Sequence, residues 1–289
     1  MAEIINGKEV ASSIKEEVAK GVEELKSKGI TPCLATNLVG ENPASVSYVK
    51  GKRKALAEVG MDDNFIPLPE SISEEELLYE IQKLNEDSSV HGILVQLPLP
   101  KHISEDKVIM AIDPRKDVDG FSPISTGNML IGRDGFLPCT PNGIIQLLKK
   151  MNIETNGKNA VVVGRSNIVG KPIAALLSRK DINCTVTMCH TGTKNLKAFT
   201  KKADIIVVAS GHPHTLTKGM IKKGAVVIDV GINRIPDATK KSGFHLIGDC
   251  DFNDLYKRAS FITPVPGGVG PMTIAMLMYN VLESAKKDL

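Results

Sequence analysis

The stretch AVVVGRSNIVGKPIAALL, residues 160–177, sets the reading of the whole chain. Four apolar residues run straight into Gly164, and a helix-forming segment opens just past Gly170, which predicts strand, tight turn and helix. At such a turn the backbone approaches a pyrophosphate closely and aims free helix N–H groups at it, so residues without side chains are favoured. Gly164 and Gly170 suit that demand, and Pro172 suits the first helical turn, where no backbone donor is lost. The G-x-G-x-x-G pattern is incomplete, because Ser166 holds its second glycine position. On this stretch alone an ordinary βα turn is the alternative.

The choice of cofactor rests on two neighbouring features. Arg165 directly follows the first glycine, and the next expected strand, CTVTMC at 184–189, leads into His190 and Thr191 rather than Asp or Glu. An acidic residue there would bond a ribose 2′-hydroxyl and repel a 2′-phosphate. Its absence, with a guanidinium and a hydroxyl in reach, favours NADP over NAD. The plainer reading of Arg165 is a solvated surface charge.

Composition bounds the class. A chain of 289 residues is long enough for two domains with separate cores, and 42% hydrophobic with 24% charged residues is globular rather than disordered. The net charge of +3 is small, and lysine pairs such as Lys201-Lys202, Lys222-Lys223 and Lys240-Lys241 are scattered among acids, so no nucleic-acid partner is expected. Few aromatics point the same way. Five cysteines, Cys33, Cys139, Cys184, Cys189 and Cys250, are odd in number and lack C-x-x-C spacing, so a reduced, cytoplasmic chain without metal or disulfide framework is expected. The adjacent Cys189-His190 pair is not a ligand set. No secretory signal is read, and no apolar run reaches the roughly 18 residues of a membrane span.

In chain order, Ile14, Val18, Val22 and Leu25 recur at helical spacing, a strand is read at 31–39, and a helix over 44–60 places Tyr48 and Lys52 four apart on one face. A strand is read at 65–68, Ser73 and Glu76 form a capping box, and HGILVQLPLP at 91–100 reads as a buried strand bearing Gln96 near its end. Ser104 caps a helix over 105–112, the loop DPRKDVDGFSP follows, and Thr140 is read as the cap of a helix over 143–151. The apolar runs 204–210, 225–230 and 261–265 continue the βα alternation, PVPGGVGPM forms a rigid loop, and 273–285 is a helix. Such a series predicts a parallel sheet with crossover helices.

Three side chains could carry chemistry. Lys52, amid Lys50, Arg53 and Lys54, reads first as a solvated charge, yet a tyrosine one turn earlier and a buried-strand amide at Gln96 offer it company. As a general base a lysine must be neutral part of the time, which at an ordinary pKa of about 10.4 requires burial or nearby positive charge. Asp117 and Asp119 read as loop-capping carboxylates, or as a grip on a planar heterocycle with adjacent N–H donors.

SYVKGKRKALAEVGM, EDSSVHGILVQLPLP, PRKDVDGF, PCTPNGI, AVVVGRSNIVGKP, VIDVGIN and ASFITPVPGGVGPMT together resemble the methylenetetrahydrofolate dehydrogenase/methenyltetrahydrofolate cyclohydrolase family. The resemblance covers nearly the whole chain in order. It implies an α/β fold with two three-layer domains flanking a cleft. A substrate domain over 1–139 would be completed by a C-terminal helix at 272–289, and a Rossmann-type NADP-binding domain would span 140–271. It implies a homodimer acting on tetrahydrofolate one-carbon substrates, with a place in purine biosynthesis. Lys52 would be the catalytic lysine, Tyr48 would contact the folate, Gln96 would tune the lysine, and Asp119 would hold the pterin. Leu97, Pro98, Pro266, Gly267 and Gly268 would lie against substrate. Gly164, Arg165 and Ser166 would meet the NADP phosphates, Thr191 the 2′-phosphate, and Ile232 would line the cofactor pocket. Thr191-Gly192 departs from the serine or arginine that many relatives carry, and 236–243 has no strong match, as an exposed loop would not. A dehydrogenase without hydrolysis and a non-catalytic NADP-binding sensor are the alternatives; the set of Tyr48, Lys52, Gln96 and Asp119 speaks against the sensor.

Overall fold

A computed structural model describes residues 1–240 and 243–289. The chain divides into two compact units, Ser12–Cys139 with Ile274–Leu289, and Met1–Ala11 with Thr140–Thr273. The range 1–139 expected for the first domain thus differs at its start. The reason is β1 (Glu3–Ile4), which pairs in parallel with the strand at Phe261–Ile262 and ties the first residues to the later unit.

The first unit is built on a short parallel sheet. After α1 (Gly7–Ser27), whose Ile14, Val18, Val22 and Leu25 are all buried, come β2 (Cys33–Val39), α2 (Pro43–Val59), β3 (Asp62–Leu68), α3 (Glu74–Glu86) and β4 (Gly92–Val95). Among the described residues the strand order is β3-β2-β4, all parallel. All seven residues of β2 are buried, which requires cover on both faces. On one face Ala35, Val39, Ile93 and Val95 pack with Leu77, Ile81 and Leu84 of α3.

Local chemistry sets the helix ends. The Asn42 side chain accepts from Ala44 N and Ser45 N at the head of α2, Pro43 occupies its first position, and Gly60 closes it with φ 79°. Ser73 and Glu76 make the expected capping box on α3. β4 stops at Val95, well before Pro100, because Pro98 and Pro100 have no N–H for a ladder. Beyond α4 (Glu105–Ala111), capped by Ser104, lies α5 (Pro123–Ile131), a helix the sequence reading passed over although Ser122 caps it and Pro123 starts it. α6 (Cys139–Lys150) begins one residue before the expected cap, and Thr140 Oγ1 instead pairs with Thr273 Oγ1 at 2.8 Å.

The second unit holds a larger parallel sheet. It runs through β5 (Asn159–Val163), α7 (Gly170–Ser178), β6 (Thr185–Cys189), α8 (Leu196–Thr200), β7 (Ile205–Val208) and β8 (Val226–Asp229). An antiparallel hairpin of β9 (Asn233–Pro236) and β10 (Phe244–Ile247) follows, then α9 (Phe252–Tyr256), β11 (Phe261–Ile262) and α10 (Val269–Ala285). Lys241 and Ser242 lie outside the described residues, and with them part of the Lys240-Lys241 pair and of the expected 236–243 loop. Among the described residues the main sheet has the order β1-β11-β8-β7-β5-β6 with every pair parallel. The chain leaves β5 for β6 on one side and crosses to β7 on the other, so the order reverses at β5, where such sheets bind nucleotides beyond their carboxyl ends. Val161, Val163, Ile206, Val208 and Val227 form the core beneath.

β2 also carries an anomaly. Thr36 and Asn37 are fully buried, and Thr36 Oγ1 and both amide atoms of Asn37 meet no protein hydrogen-bond partner. Burying such a group unpaired costs about 1–3 kcal/mol. Asn37→Leu, which keeps the branching of the side chain and replaces both amide atoms with methyl groups, is expected to raise the thermal midpoint by roughly 2–4 °C for each kcal/mol recovered, measured by circular dichroism. A lower midpoint would show that the amide is stabilising where it stands.

Candidate active site

In the first unit α2 delivers Tyr48 and Lys52 on successive turns. The half-buried Lys52 Nζ donates to Gln96 Oε1 at 3.0 Å. Gln96 is itself fixed: its backbone N donates to Asn37 O at 2.9 Å, extending the ladder past β4, and its Nε2 donates to Leu97 O at 2.7 Å. The second bond leaves the amide oxygen turned to the lysine. Leu97 is half-buried, Pro98 is exposed, and the peptide between them is cis. Tyr48 is 44% exposed.

The two loop carboxylates separate cleanly. Asp117 is buried and consumed by its own loop, accepting from Phe121 N at 3.2 Å, Ser122 N at 2.9 Å and Ser125 Oγ at 2.7 Å. It is the loop-capping carboxylate. Asp119 is half-buried, and burial of its carboxyl, helped by the charge of Asp117, pushes its pKa above the ordinary value while the Lys52 ammonium opposes the rise. Lys52, Gln96 and Asp119 therefore belong to one neighbourhood.

Two residues there were missed in the sequence. Cys139 is buried, with Sγ 3.4 Å from Val118 O and 3.9 Å from Asp119 Oδ1, and burial together with the Asp119 charge pushes its thiol well up, which keeps it a neutral donor. Asn280, on α10, donates from Nδ2 to Val118 O at 2.8 Å and to Leu137 O at 3.1 Å, pinning the backbone beside Asp119. A lone cysteine gives no sequence signal; an asparagine inside an apolar helix does, because a buried amide needs partners.

The second unit presents bare backbone. Gly164 has φ +130°, and a Cβ there would collide with Ala209 O, while a Cβ on Gly170 would collide with Gly164 O. The turns after β5 and β7 and the start of α7 thus meet at backbone contact, a cradle that any side chain would fill. Ser166 Oγ accepts from Val169 N and Gly170 N, both at 3.2 Å, bracing the loop into α7, and Arg165 is exposed beside it. Thr191 is exposed on the turn after β6, which His190 N closes by donating to Thr193 Oγ1 at 2.9 Å. Ile232 is 44% exposed and approaches Gly270 at the head of α10. Pro266 is exposed, Gly267 takes φ +105°, and Gly268 is buried with its carbonyl so close to Gly7 that no side chain fits there. Among the described residues no group of three or more His, Cys, Asp or Glu could hold a metal ion, and no helix is long and apolar enough to cross a membrane.

A parallel sheet with a glycine cradle at its switch point, joined in one chain to a unit bearing a lysine, an amide and a carboxylate, defines a nucleotide-cofactor enzyme. Comparison with known proteins narrows the class. Residues 5–119 match the model of the tetrahydrofolate dehydrogenase/cyclohydrolase catalytic domain, and residues 138–289 match its NAD(P)-binding domain. The chain belongs to the tetrahydrofolate dehydrogenase/cyclohydrolase family. A bifunctional protein FolD from Brevibacillus brevis is 57% identical, with 99% of this chain and 98% of the relative covered. The solved bifunctional FolD from Campylobacter jejuni superposes with a TM-score of 0.95 at 50% identity, covering 100% of both chains. The Trypanosoma brucei dehydrogenase-cyclohydrolase, solved with NADP cofactor and inhibitor, gives a TM-score of 0.95 at 39% identity over 99% of this chain and 98% of that one.

The cradle fits a cofactor pyrophosphate, since it offers close backbone and the N-terminus of a nine-residue helix. Gly164→Ala is expected to raise the NADP dissociation constant at least tenfold, measured by isothermal titration calorimetry. Unchanged affinity would remove the turn from the cofactor site.

Proposed function

We propose that the chain oxidises 5,10-methylenetetrahydrofolate to 5,10-methenyltetrahydrofolate with NADP and hydrolyses that product to 10-formyltetrahydrofolate. The hydrogen bond from Lys52 to Gln96, with Asp119 in the same neighbourhood, carries this reading. NADP, when bound, supplies the hydride acceptor for the first step.

The residues of the first unit then divide the work. Tyr48 stacks on the folate, Leu97 and Pro98 shape its surroundings, and Asp119 accepts hydrogen bonds from adjacent N–H donors of the pterin. Gln96 fixes the direction of the Lys52 amine, and Lys52 moves protons as water attacks the one-carbon atom. In the second unit Gly164, Arg165 and Ser166 hold the phosphates, Thr191 meets the 2′-phosphate, and Ile232 lines the cofactor pocket. Pro266, Gly267 and Gly268 form the loop against substrate. The same reading has the protein working as a homodimer in the cytoplasm and supplying one-carbon units for purine biosynthesis; its five unpaired cysteines accord with a reducing compartment.

Lys52→Met is expected to lower the cyclohydrolase rate by at least 10²-fold with the thermal midpoint kept, followed as loss of methenyl absorbance without added cofactor. An undiminished rate would overturn the role given to Lys52.

A further inference from the structure

Two buried carboxylates of the second unit take no part in the chemistry above. Asp249 is fully buried, and its Oδ2 accepts from Ser210 N at 2.7 Å, Ser210 Oγ at 3.0 Å and Gly211 N at 2.8 Å. Its Oδ1 accepts from Asn233 Nδ2 at 2.9 Å, and the same Nδ2 reaches Gly248 O at 3.1 Å. Asp229, also buried, accepts from Gly231 N at 3.0 Å and Asp249 N at 2.9 Å on Oδ1, and from Cys250 N at 2.9 Å on Oδ2.

The two acids are interlocked. A Cβ on Gly231 would collide with the Asp249 carboxylate, and a Cβ on Gly248 would collide with that of Asp229. Each aspartate thus occupies the space vacated by a glycine that neighbours the other's segment. Burial pushes the Asp229 carboxyl above its ordinary range, and the Asp249 charge adds to the rise. Like charges buried together are tolerated only when each is hydrogen-bonded, as both are here, so each carboxylate fixes the segments whose donors it holds.

That geometry converges on the cofactor cradle. Ser210 and Gly211 directly follow Ala209, whose carbonyl is the atom that excludes a side chain at Gly164. On the other arm, Gly231 and Asn233 bracket the exposed Ile232. We infer that Asp229 and Asp249 form a clasp that positions both the Ala209–Gly211 turn, against which Gly164 packs, and Ile232, so that Asp249 is a positioning residue for NADP binding although it does not touch the cofactor. The inference rests on the cofactor site proposed above.

The test measures NADP affinity by calorimetry alongside the cyclohydrolase rate, which needs no cofactor and whose proposed proton-handling residues, Lys52 and Gln96, lie in the other unit. Asp249→Asn keeps the shape but cannot accept on both sides, and is expected to weaken NADP binding about tenfold while the cyclohydrolase rate stays within twofold. Asn233→Ala, which loosens one arm and leaves the Ser210 turn bonded, keeps the test available if the first variant misfolds, and is expected to weaken binding about threefold with the same split. NADP affinity within twofold of the parent in the folded variants would overturn the inference. So would a parallel fall of affinity and cyclohydrolase rate, which marks a general structural role. A parent protein that fails to bind NADP would instead sink the cofactor site itself, and the clasp with it.

Discussion

The hydrogen bond between Lys52 and Gln96 is the contact on which the proposed site depends, because it gives one member of a cluster of four basic residues on a helix a fixed direction. Lys50, Arg53 and Lys54 share the helix, and Arg53 turns to Asp63 while Lys54 reaches Glu58. Only a rigid acceptor can single out one lysine from such company. Gln96 is rigid because its backbone stays in the ladder beside Asn37 and its amide nitrogen is held by Leu97 O. The prolines that end β4 free this segment from the sheet at the point where the amide must turn.

The second unit solves a different problem by subtraction. An anion-binding turn works by bringing backbone N–H groups close, and close backbone leaves no room for Cβ. At Gly164 and Gly170 a Cβ would strike neighbouring backbone, and at Gly231 and Gly248 it would strike the two carboxylates. Glycine here marks the places where the chain packs against itself or a ligand. Charge enters as exposed Arg165 at the rim, while Ser166 spends its hydroxyl on the loop.

Much of this was legible in the sequence, for identifiable reasons. The apolar run into Gly164 announced β5 and the cradle, and the four-residue spacing of Tyr48 and Lys52 placed both on one helix face. The approach of Gln96 to Lys52 was also legible, since a polar amide in a buried strand demands a partner. Other features were hidden because they are long-range. Asp117 and Asp119 look alike in the sequence, and only the donors at Phe121, Ser122 and Ser125 separate a loop cap from an available carboxylate. β1 is two residues long and takes its identity from pairing with β11. α5 carried readable caps at Ser122 and Pro123 but lay behind a loop-like run of charged and turn residues. The β9–β10 hairpin has four-residue strands in which no residue is buried, so neither reads as a buried apolar run.

The most direct measurement of the central claim is the cyclohydrolase kcat of Gln96→Ala, read with the folate KM and thermal midpoint beside it. If Gln96 acts by aiming the Lys52 amine, kcat falls at least tenfold while the midpoint holds, because the lysine remains present but loses its direction. An unchanged kcat in a folded, substrate-saturated variant would contradict the account.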